Sequence, residues 1–157
     1  INEGTVQLSG GTATLGVNST AANVTTLRQD GTLDINAAGV SQTIVIGALQ
    51  GAGVITNSGG GTNTAGTISL GRSTSTGTTV FSGVLQDGGG VLNVTVDGTT
   101  ARTQALIGQS TYTGVITIAT GAQLTVDVLA NGGASSGIGA SSNAFRPQRF
   151  GCASGGS

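Results

Sequence analysis

Histidine and lysine are absent from this chain of 157 residues. Without them a serine, threonine or cysteine nucleophile lacks its usual neighbouring base, so the common hydrolase triads have no material here. A phosphate-binding Walker loop is excluded for the same reason, since it needs lysine; the run GGASSGIGASS is glycine-rich in composition only. Tryptophan and methionine are also missing, aromatics make up 3% and charged residues 7%. Ordinary soluble domains carry roughly 25% charge, so both the core and the surface must be built differently. All five basic residues are arginines: Arg28, Arg72, Arg102, Arg146 and Arg149. A net charge of −1 without a basic cluster argues against nucleic acid as a partner. No apolar run approaches the ~18 residues of a membrane-spanning helix. The lone Cys152 cannot close an internal disulfide, and a chain nearly free of cysteine fits a secreted surface protein. There is no signal peptide and the first residue is Ile1, as expected of a processed chain or a fragment.

What is present is aliphatic, hydroxylated and glycine-rich. Hydrophobic residues are 36% and net charge is small, the reverse of the disordered signature. Seven segments show aliphatic residues at i and i+2 with Thr, Ser, Asn, Asp or Gln between them. They are TVQLS at Thr5, TLDIN at Thr32, TIVIG at Thr43, TISLG at Thr67, VLNVTV at Val91, VITIA at Val115 and QLTV at Gln123. This period of two predicts half-buried strands. No stretch of ten or more residues carries a helical stripe. Asp30-Gly31, Asp87-Gly88 and Asp97-Gly98 predict tight turns with glycine at positive φ.

Many short, evenly spaced strands fit a sandwich, a barrel or a β-solenoid. A sandwich needs bulky side chains to span about 10 Å between sheets, whereas Val, Ile, Leu and Ala suit a narrow coil. Stacked rungs superpose like residues, which Thr and Asn tolerate and repeated charges do not. The expected fold is therefore all-β, a β-solenoid over residues 1–144. Rungs of about 20 to 25 residues would give six or seven coils and, at ~4.8 Å each, a rod of about 30 Å. Inward positions include Ile116, Ile118, Leu124 and Val126, with Thr117, Gln123 and Thr125 outside and Gly114 and Gly121 at corners.

GVLQDGGGVLNV (Gly83–Val94), LIGQSTYTGVITIATGAQLTV (Leu106–Val126) and LANGGASSGIGASSNA (Leu129–Ala144) follow one another. Together they resemble the autotransporter-associated β-strand repeat of large bacterial surface proteins. That pattern is filled by Leu106, Gly108, Ser110, Thr111, Tyr112, Thr113, Gly114, Ile118, Gly121, Leu124 and Val126, with Thr117 displaced by one. IGALQGAGVITNSGG (Ile46–Gly60) is similar, so the resemblance covers about Gln42 to Ala144. It implies a right-handed parallel β-helix outside the cell, with no catalytic residues to carry over. Residues 145–157, FRPQRFGCASGGS, leave the pattern and form an atypical tail suited to capping, subunit contact or disorder.

Parallel β-helices include polysaccharide lyases and hydrolases, which need converging carboxylates. The six here are Glu3, Asp30, Asp34, Asp87, Asp97 and Asp127. Three lie in Asp-Gly pairs, and Asp34 and Asp127 fall on outward strand faces, so turn and solvent roles are expected. Asp30 and Asp34 are too few for calcium, which takes six or more oxygens. The sequons at Asn18, Asn23 and Asn93 are of a kind that abundant Ser, Thr and Asn produce by chance. No catalytic, metal or cofactor site is expected. The leading function is a non-catalytic extracellular structural protein that self-associates end to end into a fibre. An adhesin-like module contacting surface glycans, from a longer autotransporter passenger, is the alternative, and a carbohydrate-active enzyme the third.

Overall fold

The computed structural model describes residues 1–8, 13–15, 24–37, 41–60, 64–71, 76–97 and 102–141. Among them there is no helix, and fourteen short strands wind as a β-solenoid of about four turns. Each turn contributes one strand to each of three parallel sheets. The first comprises β1 (Glu3–Gln7), β2 (Ala13–Leu15) and β3 (Val24–Leu27). The next turns are β4 (Asp30–Asp34), β5 (Gln42–Ile46) and β6 (Ala48–Gly51), then β7 (Val54–Thr56), β8 (Gly66–Leu70) and β9 (Gly77–Phe81). β10 (Val84–Leu85), β11 (Leu92–Val96) and β12 (Arg102–Leu106) follow, and β13 (Ile116–Ile118) and β14 (Gln123–Val126) begin another turn. The sheets run β1-β4-β7-β10, β2-β5-β8-β11-β13 and β3-β6-β9-β12-β14, all parallel. They are called the first, second and third sheet below.

The turn count falls short of the six or seven expected, and the rod is about 20 Å long at ~4.8 Å per rung instead of 30 Å. The reason is uneven rung length. One turn runs only from Thr103 to its partner Gln123, another from Ala13 to Ile44. Loops between sheets absorb the surplus.

Alternation works as expected in the second sheet. Ile44, Ile68 and Val94 stack in register, as do Ile46, Leu70 and Val96, and all six are buried. The opposite face carries the columns Thr43–Thr67–Asn93 and Val45–Ser69–Thr95–Thr117. The third sheet packs inward through Leu27, Leu49, Phe81 and Leu106, but Thr79 and Gln104 also point inward. Between β6 and β9 the ladder is reduced to Gly51 and Phe81. The Gln104 side chain fills the gap. Its Oε1 accepts from the Leu49 amide at 3.2 Å and the Thr79 hydroxyl at 3.1 Å, and its Nε2 donates to the Leu49 carbonyl at 2.9 Å. A buried amide is tolerable because its polar atoms are paired.

Glycines fix the corner where the third sheet passes to the first. Gly31, Gly53, Gly83 and Gly108 sit one above another. A Cβ on Gly53, Gly83 or Gly108 would strike the carbonyl oxygen of the glycine beneath. Close backbone approach is the demand here, not an unusual φ. The Asp-Gly expectation needs correcting accordingly. Gly31 is buried in β4 and Gly88 lies against the Asn57 carbonyl, and neither has positive φ. Gly98 lies outside the described residues.

At the next corner Asn57 is fully buried. Its Oδ1 accepts from the Ala37 amide at 2.9 Å, and its Nδ2 donates to the carbonyls of Thr64 and Val91 at 2.9 Å each. It ties three turns of backbone together.

Candidate functional site: the two ends of the solenoid

Among the described residues, no strand pairs with the outer edges of β1, β2 and β3, nor of β13 and β14, although Ile1 caps the end of β3, its ammonium donating to the Thr26 carbonyl at 2.8 Å and its carbonyl accepting from the Arg28 amide at 2.9 Å. Val6 lies in register with the buried Leu33 yet is 39% exposed, and Val24 on β3 is 41% exposed. At the other end Ile116, Leu124 and Val126 pack against the core but remain half-exposed. Ile118, expected inward, is 53% exposed, and Val115 59%. Its position in register with Val96 is correct; what is missing is a rung above it. Exposed aliphatic surface is thus concentrated where the rod stops.

Residues 127–141 do not continue the winding. They turn back as a strap across the end of the first sheet. Ser110 and Ser136 form an antiparallel bridge with amide-to-carbonyl bonds in both directions, at 2.9 and 3.2 Å. The Ala140 amide donates to the Tyr112 carbonyl at 2.8 Å. A tight turn at Gly139 (φ +85°) shapes the strap, with the Ser136 hydroxyl donating to the Gly139 carbonyl at 2.8 Å. Strap and β13 enclose a cleft of about 190 Å³ whose walls include Gly114, Ile116, Asn131 and Ile138. Leu129, on the strap, is 65% exposed.

Tyr112 lies beneath the strap, fully buried, with its hydroxyl unpaired. Burial pushes its phenol far above the ordinary range. An unpaired buried hydroxyl costs about 1–3 kcal/mol, so Tyr112→Phe is expected to leave the fold intact and raise the melting temperature. A gain of about 3–5 °C by circular dichroism is expected; a drop of that size would show that the hydroxyl has a partner.

Two carboxylates, Asp34 and Asp87, are occupied by the fold. Asp34, expected to face solvent, is 4% exposed. Its Oδ2 accepts from the Ser58 hydroxyl at 2.5 Å and Gln7 Nε2 at 2.7 Å, and its Oδ1 from the amides of Ser58 and Asn36 at 2.9 and 3.0 Å. Burial alone would raise its pKa, but these donors outweigh it and hold the carboxyl below its ordinary value. The stability this carries is present above the unfolded pKa near 4 and is lost as pH falls through the lower folded value. Asp34→Asn is therefore expected to cost about 1–2 kcal/mol at pH 7 and to flatten the acid limb of a urea-denaturation series below pH 4; an unchanged acid limb would contradict this role. Asp87 lines a second cleft with Thr64 and Gly88–Val91. Its Oδ1 takes the Leu92 amide at 2.8 Å, and its Oδ2 the amide and hydroxyl of Thr113 at 2.9 and 2.6 Å. Glu3, Asp30 and Asp127 are exposed. Among the described residues no group of three or more His, Cys, Asp or Glu is placed to hold a metal ion, and no helix is long and apolar enough to cross a membrane. Residues 145–157 lie outside the described residues.

Sequence reasoning missed the strap, although its signal was present: a glycine- and serine-rich run directly after the last alternating strand. It also missed Gln104 and Asn57, whose polar character hid their inward position. No protein-family model matches the chain, and no curated protein or solved structure matches it.

Proposed function

We propose that this protein is a non-catalytic structural module, a β-solenoid rod that joins end to end with copies of itself into an extracellular fibre or matrix. The observation that carries it is that the second and third parallel sheets end in unpaired strands at both ends of the rod, β2 and β3 at one end and β13 and β14 at the other. Translation along the axis would bring β2 onto β13 and, once Ile1 leaves the Thr26 carbonyl, β3 onto β14, with donors facing acceptors as they do between internal rungs. Val6 and Val24 at one end, and Ile116, Ile118 and Leu124 at the other, would leave water. Repetition of one such heterologous contact gives an open filament. The low charge of the edges removes the usual guard against edge pairing.

The motif from Leu106 to Val126 supports kinship with autotransporter-type passengers and hence a place at the bacterial cell surface. Negative-stain microscopy of purified protein tests the reading. Fibres with mass growing with concentration in sedimentation are expected; uniform monomers at millimolar concentration would overturn it. The outward Thr43–Thr67–Asn93 column favours a second reading, an adhesin-like module with glycans as ligands. Retention on a glycan array, abolished by bulky substitutions at Thr67, would select it.

A further inference from the structure

The two ends of the rod are not equally available, and the difference lies in the first sheet. Ser110–Tyr112 occupies the position above β10, since the amides of Thr111 and Tyr112 donate to the Leu85 carbonyl. The backbone groups on its other edge are the amide and carbonyl of Ser110 and the carbonyl of Tyr112. A further parallel rung would need these groups. The strap already uses all three, through Ser136 and Ala140.

We infer that the Ser110–Tyr112 edge is the seat of β1 from a second copy, and that residues 128–141 are a latch that β1 must displace. The inference rests on the end-to-end reading above and adds its regulation. The register follows from the fold. Val6, Leu33, Ile55, Leu85 and Ser110 form one inward column from turn to turn. A copy translated along the axis sets its Val6 over Ser110 and its Leu8 over Tyr112. Tyr112 then exchanges the cover of Gly139 for that of Leu8, and stays dry.

The latch is anchored at its turn, where Ser136, Gly137 and Gly139 are buried, and held lightly before it. Asn131–Ala134 are exposed, Leu129 is largely in water, and the cleft beside β13 leaves the strap short of close packing. An antiparallel segment also cannot continue a parallel sheet, so it ends growth while seated. With it in place only β13 and β14 are free to pair, and the second and third sheets alone hold an arriving copy. With it released all three sheets join. Assembly is then slow to start and firm once made.

Gly139→Val tests the latch by forcing its turn away from the Tyr112 rung beneath. The left-handed φ disfavours a β-branched residue, and a Cβ there would meet Tyr112. Elongation about tenfold faster than wild type is expected, followed by light scattering at equal protein concentration. Hydrogen exchange on the wild-type protein supplies a readout independent of any variant. The amides of Ser136 and Ala140 are expected to be protected in the monomer and to lose protection in the fibre, while Ser110 stays protected in both. Fibres in which Ser136 and Ala140 stay protected, or in which Gly139→Val grows no faster, overturn the latch and leave end-to-end joining intact. Monomers in every sample overturn the joining itself and the latch with it.

Discussion

Gly83→Ala is expected to be among the most damaging small substitutions in the rod. The added methyl group would fall on the carbonyl oxygen of Gly53, which also accepts the Val84 amide at 3.0 Å. Relief requires the two turns to part, and parting them breaks the first-sheet ladder between β7 and β10. The clash is with backbone, so no rotamer change helps. A loss of about 4 kcal/mol or more is expected, at the extreme of single substitutions, read as a fall of over about 10 °C in melting temperature. Gly60→Ala is the internal control, because a Cβ there meets nothing within 4 Å. Equal effects at the two sites would mean that glycine acts through chain flexibility and not through close stacking.

Asn57→Ala is the second. It removes one partner from the Ala37 amide and from the carbonyls of Thr64 and Val91 at once, and of these the Val91 carbonyl keeps the Gly66 amide at 2.9 Å. The Ala37 amide left unpaired costs about 1–3 kcal/mol and each hydrogen bond lost at a carbonyl about 0.5–1.5 kcal/mol, with some recovery by water. A total of about 3–5 kcal/mol is expected in urea denaturation. The effect should be shared by the turns on both sides, so exchange at the Ala37 amide and melting of the second sheet should move together. A loss below about 1 kcal/mol would show that the corner is held by its neighbours and not by this side chain.

Each of the seven alternating segments read from the sequence overlaps a strand, because its alternate aliphatic residues fall on the inner face of a sheet. β6, β9 and β12 escaped for a physical reason. Their inward positions include Thr79 and Gln104, and Gly51 sits at positive φ in β6. A polar inward residue looks the same in sequence as an outward one. β7 and β10 are too short for any period to show. Even spacing was the wrong ruler for counting turns, since loops of very different length return the chain to the same sheet. The outward Thr and Asn columns were legible because stacking like on like is the constraint that shapes composition. The ends were not, because Ile116 and Ile118 have the same pattern as core residues; only the absence of a neighbour above distinguishes them.

Gln104 has a mechanical consequence. In a parallel solenoid the hydrogen bonds between turns lie along the axis, so a pull on the rod loads them directly. In the third sheet that load crosses from β6 to β9 through a single register pair and one amide side chain. The side chain can rotate and stretch where a backbone ladder would shear. Tension is thereby shifted onto the five-residue ladder between β5 and β8, and the rod should bend toward that sheet before it breaks.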